Sequence, residues 1–197
     1  LYGNQKKSIL LKESAPFPDF TDNYCKNKLK MEQYINKKLK LNPKFRIIVL
    51  RPATVWGVAP RMRVELLPNH FTYCAVSKGS IKISEPQSYR AEMDIDDIVD
   101  SYFAVMNQEK WKKNIYNIGS DNFSKIEVAE KIKSIINCNI ETIGNLGDTR
   151  NLRIDSSSFY KDFNWKPKNK FENTVKKVEK WTKQNLKEME KTNFAGI

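Results

Sequence analysis

The chain has 197 residues, 35 of them basic and 23 acidic, which gives a formal net charge of +12 at pH 7. Hydrophobic residues make up 40% of the chain, enough for one buried core, and we expect no more than one and a half domains. No apolar run reaches the length of a membrane span, and the start at Leu1 resembles neither a signal peptide nor a natural N-terminus, so we expect a piece of a longer protein.

The positive charge suggests nucleic-acid binding as one hypothesis. The lysines, however, are spread along the predicted helices, and aromatic residues do not alternate with them as they would on a base-stacking surface. We therefore expect a solvated, lysine-rich surface and no nucleic-acid partner. A surface of this kind also attracts anionic ligands.

Cysteine and histidine usage argues against a metal site. Cys25, Cys74 and Cys138 are far apart and form no C-x-x-C pair, which favours a reduced, cytoplasmic setting. His70 is the single histidine, and no cluster of cysteines or carboxylates stands near it in the sequence. We assign it no functional role and predict no metal.

The first helix is predicted from residue 23 to residue 39, after candidate capping side chains at Asp19, Thr21 and Asp22. One face of this helix carries Tyr24, Lys28, Met31, Ile35 and Leu39. We expect that face to be buried, with the phenol and the ammonium one turn apart on it.

The Tyr24–Lys28 spacing is typical of a general base. A lysine ammonium beside a tyrosine favours the ionised phenolate, which can take a proton from an alcohol near neutral pH. Because lysine is abundant in this chain, the Y-x-x-x-K pattern by itself favours a solvated basic helix over a catalytic pair.

Helix and strand patterns then alternate along the chain. Continuous apolar runs predict buried strands at 45–50 and 115–118, and an alternating run predicts a short strand at 80–84. Helices are predicted at 64–77 with Gly79 as the stop, after the acidic turn at 94–97, from a capping box at Ser124 to about residue 137, at 157–163 and at 171–191. This alternation predicts an α/β fold, in which ligands collect beyond the carboxyl ends of parallel strands.

The helix after the acidic turn has a clear amphipathic pattern. Its apolar positions are Ile95, Ile98, Val99, Tyr102, Phe103 and Met106. The acidic residues of its first turn suit the helix dipole, which is sufficient to explain them.

Further motifs stand around the Tyr24–Lys28 pair in a fixed order. They are L-Y-G at 1–3, L-R-P-A-T-V-W-G at 50–57, Tyr89-Arg90 ahead of Asp97, Y-N-I-G-S at 116–120, D-T-R-N-L-R-I-D at 148–155 and W-K-P at 165–167. In this order and at these separations they resemble the extended short-chain dehydrogenase/reductases, specifically the NAD-dependent nucleotide-sugar epimerase/dehydratase family. The resemblance covers only the second half of the polypeptide found in that family, because the Rossmann half with the glycine-rich loop normally precedes these motifs.

The resemblance implies a fold in two parts. These are the second half of a Rossmann-like parallel sheet and the small α/β substrate-binding domain of an extended short-chain dehydrogenase/reductase. Residues 1–57 would then belong to the NAD-binding domain and residues 58–197 mostly to the substrate domain, with 90–120 returning to the Rossmann sheet.

The resemblance also implies an activity. Tyr24 would deprotonate a sugar hydroxyl, usually at C4, while hydride passes to NAD, and Lys28 would support the phenolate and bind the nicotinamide ribose. Pro52 would lie against the nicotinamide. NAD is implied in preference to NADP, the partner is a nucleotide sugar, and a homodimer is plausible for the full-length enzyme.

Three residues match family positions that bind the substrate. Asn69 would hold the sugar diphosphate, although its chemistry alone fits a helix-surface amide equally well. Arg90 would bind the nucleotide diphosphate, because the fork of a guanidinium group is well shaped for that ligand. We favour this role over that of a surface arginine. Arg150 would contact the nucleotide phosphates.

The resemblance leaves the reaction open. The serine or threonine that orients the sugar hydroxyl, and the Asp-Glu pair that marks dehydratases, both belong before the position of Leu1. Thr54 and Trp56 also replace the asparagine and tyrosine that many relatives have, so the substrate is not inherited from any one member. The alternatives are a non-catalytic relative that binds RNA or an acidic partner, and a fragment that is inactive alone.

Overall fold

The computed structural model describes residues 2, 9–17, 23–41, 46–144 and 151–191. Helices and strands alternate along this part of the chain. The helices are α1 Asn23–Leu41, α2 Leu67–Lys78, α3 Ile95–Met106, α4 Lys125–Lys133, α5 Ser157–Phe163 and α6 Phe171–Lys191. The strands are β1 Leu10–Leu11, β2 Val49–Pro52, β3 Thr54–Trp56, β4 Ser80–Ile83, β5 Tyr89–Asp94, β6 Ile115–Ile118, β7 Asp121–Ser124, β8 Asn139–Thr142 and β9 Arg153–Ile154.

The described strands form four small sheets. β2 and β6 are parallel, with Val49 opposite Ile115 and Pro52 opposite Ile118. β5 is the centre of a three-stranded sheet, parallel to β3 and antiparallel to β7. The pairs β1–β9 and β4–β8 are both parallel. Within the described ranges β2 pairs with β6 alone, so its other edge carries backbone groups without a strand partner.

Two large apolar clusters hold these elements together. The first surrounds Trp56 and joins α2, β4, α4 and α6, with the Phe171 ring 4.7 Å from the Trp56 ring. The second lies between β6, α3 and α5, where Tyr116 and Phe159 are fully buried. Burying one such aromatic side chain is worth about 1.5–3 kcal/mol, so these clusters account for most of the cohesion of the fold.

Several helix ends follow their sequence signals. Gly79 takes the left-handed conformation that ends α2, with φ of 62°. At α4 the predicted capping box is present, because the Ser124 side chain accepts from the Glu127 amide while the Glu127 side chain accepts from the Ser124 amide. The predicted limits of α5 and α6 are confirmed. α2 begins at Leu67 and not at 64, with a proline in its first turn.

The strand predicted at 45–50 is displaced along the chain. β2 begins at Val49 and continues to Pro52, and residue 45 lies outside the described ranges. The extension has a physical cause, because Arg51 is 6% exposed and its guanidinium is bound by several partners inside the protein. A polar residue thus continues the strand where the apolar pattern stops.

The buried face predicted for α1 is wrong for its first half. Tyr24 is 68% exposed and Met31 51%, and Lys28 is exposed as well. The helix instead turns Glu32 inward, with half-buried neighbours at Cys25, Leu29, Ile35 and Asn36. The cause is a buried ion pair between Glu32 and Arg51, which a pattern of apolar residues does not reveal.

The apolar face of α3 is also only partly covered. Ile98, Ser101 and Val105 are buried, while Val99, Tyr102, Phe103 and Met106 are between 47% and 75% exposed. The acidic first turn does more than complement the dipole. Asp97 is 1% exposed and accepts hydrogen bonds from the amides of Lys168 and Asn169, which attaches α3 to the segment before α6.

None of the described helices is both long enough and apolar enough to cross a membrane.

Candidate active site

Tyr24 and Lys28 lie together on the open side of α1. The Lys28 Nζ is 5.5 Å from the centroid of the Tyr24 ring, within the range of a cation–π contact. Both side chains are exposed, so a ligand can reach the phenol and the ammonium from the same direction.

The direction of α1 places this pair at the carboxyl end of β2. Glu32 contacts Arg51, the third residue of β2, and Asn36 lines the same cleft as Ile115 at the start of β6. Because β2 and β6 are parallel, the C-terminal part of α1 lies at their amino ends. Tyr24 therefore extends the other way, two turns or about 12 Å beyond Glu32. This is the end at which ligands bind in parallel sheets.

The carboxyl end of β2 is shaped by a close backbone approach. Pro52 is exposed, and the Ala53 amide donates to the Ile118 carbonyl at 2.8 Å. A Cβ placed on Gly119 would lie 2.9 Å from the Ala53 Cβ and 3.6 Å from the Glu92 carbonyl oxygen. A side chain at 119 would clash with Ala53, so glycine lets the ends of β2 and β6 approach the middle of β5 closely.

The predicted substrate residues have different surroundings. Asn69 is 1% exposed, and its side chain accepts from the Gly57 amide at 3.2 Å and donates to the Arg63 carbonyl at 2.9 Å. Asn69 therefore holds the loop between β3 and α2, and its role as a substrate ligand stays a prediction. Arg90 is half-buried on β5, and its Nη1 donates to the Tyr89 carbonyl at 2.8 Å. Arg150 lies outside the described residues.

A buried acid close to this edge is not predicted by the sequence patterns. Glu92 is 1% exposed, and neither of its carboxyl oxygens has a hydrogen-bond partner in the described structure. Burial raises the pKa of Glu92 well above its ordinary value, while Arg90 opposes and Asp121 adds to that shift. The only sequence signal is a glutamate between Ala91 and Met93 in a strand. In the structure, the Glu92 side chain lines a cavity of about 10 Å³, which is room for one water molecule.

The second Y-x-x-x-K pattern of α1 provides an internal comparison. The Lys38 Nζ is 5.4 Å from the Tyr34 ring, and Tyr34 is 60% exposed. Tyr34 and Lys38 thus have the same local geometry as Tyr24 and Lys28. They differ in position, because they follow Glu32 on the part of α1 that leads to the amino ends of the strands.

A second, wider cleft lies at that amino end, away from Tyr24. Its volume is about 500 Å³, and its lining includes Lys12, Glu13, Asn36, Lys113 and Asp155. Two lysines face two carboxylates there, so the cleft has no net charge to select an anionic substrate. Its size therefore does not make it the candidate active site.

Within the described part of the chain, the remaining titratable groups do not form a second site. His70 lies with its Nε2 3.5 Å from the Cys74 Sγ, and burial lowers the pKa of His70 and raises that of Cys74. The resulting neutral imidazole and thiol fit a structural contact. The described residues contain no group of three or more His, Cys, Asp or Glu side chains that could hold a metal ion. Of the three cysteines, Cys25 is half-buried, whereas Cys74 and Cys138 are buried.

Comparison with known proteins identifies solved structures that share the fold of this chain. No family model matches the sequence. Among solved structures, dTDP-glucose 4,6-dehydratase from Bacillus anthracis in complex with NAD is 21% identical, with a TM-score of 0.78 over 93% of this chain and 59% of that chain. UDP-glucose 4-epimerase from Thermotoga maritima with UDP-glucose is 23% identical, with a TM-score of 0.78 over 94% of this chain and 60% of that chain. UDP-glucose 4-epimerase from Bifidobacterium longum in complex with NAD+ and UDP is 18% identical, with a TM-score of 0.76 over 94% and 61%.

These matches confirm the predicted fold class. The chain spans about 60% of the length of the solved structures that it matches. Over that length the chain has the α/β fold of the NAD-dependent epimerases and dehydratases, as the order of its motifs predicts.

Proposed function

We propose that the chain is the C-terminal portion of an NAD-dependent nucleotide-sugar epimerase or dehydratase, in which Tyr24 is the catalytic base. The observation that carries this proposal is the exposed Tyr24–Lys28 contact on α1, and the direction of α1 supports a location toward the carboxyl end of β2. Similar structures with the same fold contain NAD, UDP or UDP-glucose. The division into domains at residue 57 belongs to the same proposal.

The residues at this edge fit the reacting end of a dinucleotide. Pro52 is exposed, and a Cβ at Gly119 would crowd Ala53 where β2 and β6 end. Lys28 would hold the ribose hydroxyls and Pro52 would lie beside the ring. When bound, NAD would accept the hydride. The seven glycines of the sequence form no G-x-G-x-x-G pattern, so the described residues would supply the nicotinamide end of the cofactor site and not the pyrophosphate cradle.

The proton and the hydride leave the sugar by separate routes. Tyr24, as phenolate, accepts the proton of a hydroxyl, in this proposal the one at C4. The hydrogen on the same carbon leaves with its electron pair as hydride, and a keto group remains. Lys28 places a positive charge beside the Tyr24 ring, with its Nζ 5.5 Å from the ring centroid. Epimerisation and dehydration both begin with this oxidation, and Asn69, Arg90 and Arg150 are the proposed contacts of the diphosphate.

The proposal is tested by Tyr24→Phe in the full-length protein loaded with NAD. With UDP-glucose and dTDP-glucose as probes, we expect formation of reduced nicotinamide to slow by about 10²-fold or more, since the general base is lost. NAD binding, measured by calorimetry, should remain.

The matched control is Tyr34→Phe. It removes the same hydroxyl from the same helix, next to Lys38 and at similar exposure, and we expect it to leave the rate unchanged. Full activity in Tyr24→Phe, or an equal loss in both variants, would show that Tyr24 is not the base.

A further inference from the structure

We propose that the buried ion pair between Glu32 and Arg51 positions the Tyr24–Lys28 pair at the carboxyl end of β2. In this view Glu32 and Arg51 are positioning residues, which act through the orientation of α1 and touch neither sugar nor cofactor. Their catalytic consequence rests on the proposed function, whereas the anchoring of α1 can be tested independently.

The contact is bidentate and buried. The Arg51 Nη2 lies 2.5 Å from the Glu32 Oε1, and the Arg51 Nε donates to the Glu32 Oε2 at 3.0 Å. Glu32 is 5% and Arg51 6% exposed, so water does not compete for these bonds. A planar guanidinium and a planar carboxylate joined by two bonds fix each other's orientation as well as their distance.

Arg51 is itself held firmly by the rest of the protein. Its Nη1 donates to the Tyr2 hydroxyl at 2.7 Å and to the Glu13 carbonyl at 3.0 Å. The Tyr2 hydroxyl donates in turn to the Asn117 Oδ1 on β6 at 2.5 Å. The Arg51 guanidinium also lies about 5 Å from two aromatic rings, at 5.2 Å from Tyr2 and 5.1 Å from Phe17. The ion pair therefore connects α1 to both strands of the β2–β6 sheet.

Among its described residues, α1 has no broad buried apolar stripe to fix its rotation. Over residues 23–38 Glu32 is the single buried side chain, and the apolar neighbours on its face are half-buried. A helix held by a broad apolar stripe has many contacts that resist rotation. The Glu32–Arg51 pair gives α1 a buried, directional contact near its middle.

The helical geometry carries this orientation to the catalytic pair. At about 100° per residue, Lys28 lies about 40° and Tyr24 about 80° around the helix from Glu32. Tyr34, only two residues from Glu32, lies about 160° away, on the opposite side. Fixing Glu32 against β2 thus keeps Tyr24 and Lys28 beside the sheet edge and turns the second Tyr–Lys pair away from it.

The test is hydrogen exchange on the full chain with Glu32→Gln, a variant that keeps the shape of the side chain and removes its charge. We expect peptides from α1 to exchange at least about tenfold faster, because the helix opens from the sheet, while peptides from α6 exchange at the wild-type rate. The control is Glu179→Gln, which breaks an exposed pair with Lys183 of 2.6 Å and should leave α1 unchanged.

Two results would overturn the proposal. One is wild-type exchange of α1 in Glu32→Gln, and the other is an equal acceleration in α1 and α6, which would make the ion pair a general stability element. In the full-length protein, the positioning role predicts a lower kcat with little change in the KM for UDP-glucose, because the proposed contacts of the diphosphate lie outside α1. If Tyr24→Phe were fully active, the proposed reaction would fail while the exchange result would still decide how α1 is anchored.

Discussion

Two buried glutamates lie in different parts of the molecule and in opposite surroundings. Glu32 on α1 faces Arg51 through two short contacts, inside a polar network that reaches Tyr2 and Asn117. Glu92 on β5 is equally buried, yet its carboxyl oxygens have no partner among the described residues, and burial raises its pKa well above the ordinary value. The part around α1 is therefore held by paired polar groups. The part around β5 and α6 is packed mainly by apolar side chains, together with the hydrogen-bonded Asp94 and Asp97 and with Glu92, whose pKa is raised.

The largest effect is expected in the apolar part, with Phe171→Ala. Phe171 is 5% exposed, and the centroid of its ring lies 4.7 Å from that of Trp56 and 5.3 Å from that of Phe123. Its loss leaves a cavity between two rings, and we expect the free energy of unfolding in urea to fall by about 3–5 kcal/mol. Phe103→Ala is the matched control, because Phe103 is 56% exposed, and its effect should stay below about 1 kcal/mol. Similar losses in both variants would contradict the assignment of the core.

The second-largest effect is expected on the pH dependence of the free energy of unfolding, in the variant Glu92→Gln. The pKa of Glu92 is higher in the folded than in the unfolded chain, so the folded protein keeps a proton that the unfolded chain releases. This contribution to stability is complete below the unfolded pKa of about 4.3 and is lost as pH rises through the folded pKa. Between the two values wild-type stability should fall by about 1.4 kcal/mol per pH unit relative to Glu92→Gln.

The measurement is urea unfolding across that pH window, at constant ionic strength. Glu141→Gln, at an exposed position of β8, serves as control and should follow the wild-type curve. If Glu92→Gln also followed the wild-type curve, Glu92 would have to be ionised and paired in the folded protein.

The smallest effect is expected at the N-terminus of α4. Ser124→Ala removes the hydroxyl that accepts from the Glu127 amide, and the free energy of unfolding should fall by about 1 kcal/mol. Ser134→Ala changes an exposed hydroxyl at the other end of α4, with an expected effect within about 0.5 kcal/mol. Thermal or urea unfolding of both variants distinguishes a cap from a surface hydroxyl, and equal effects would argue against the capping box.

The local signals in the sequence predict much of the fold. The capping box at Ser124, the stop at Gly79 and the apolar spacing of α6 depend on neighbouring residues, so they can be recognised without a structure. The proximity of Tyr24 and Lys28 has the same origin, because residues four apart on a helix are neighbours.

The remaining features depend on partners that are distant in the sequence. The inward face of α1 is set by Glu32 meeting Arg51, 19 positions later, and apolar periodicity contains no information about such a pair. The burial of Glu92 results from the packing of β5 between two strands, one of which comes about 30 residues later. The interior bonds of Asn69 likewise depend on the path of the loop that precedes α2.

The distribution of the three thiols has a practical consequence. Burial raises the pKa of Cys74 and Cys138, so they present little thiolate, whereas Cys25 is half-buried and directly follows Tyr24. A maleimide dye or a spin label would therefore react first at Cys25, beside the proposed base, and no cysteine would have to be introduced or removed. Such a label offers a spectroscopic signal for binding of the proposed nucleotide-sugar substrate.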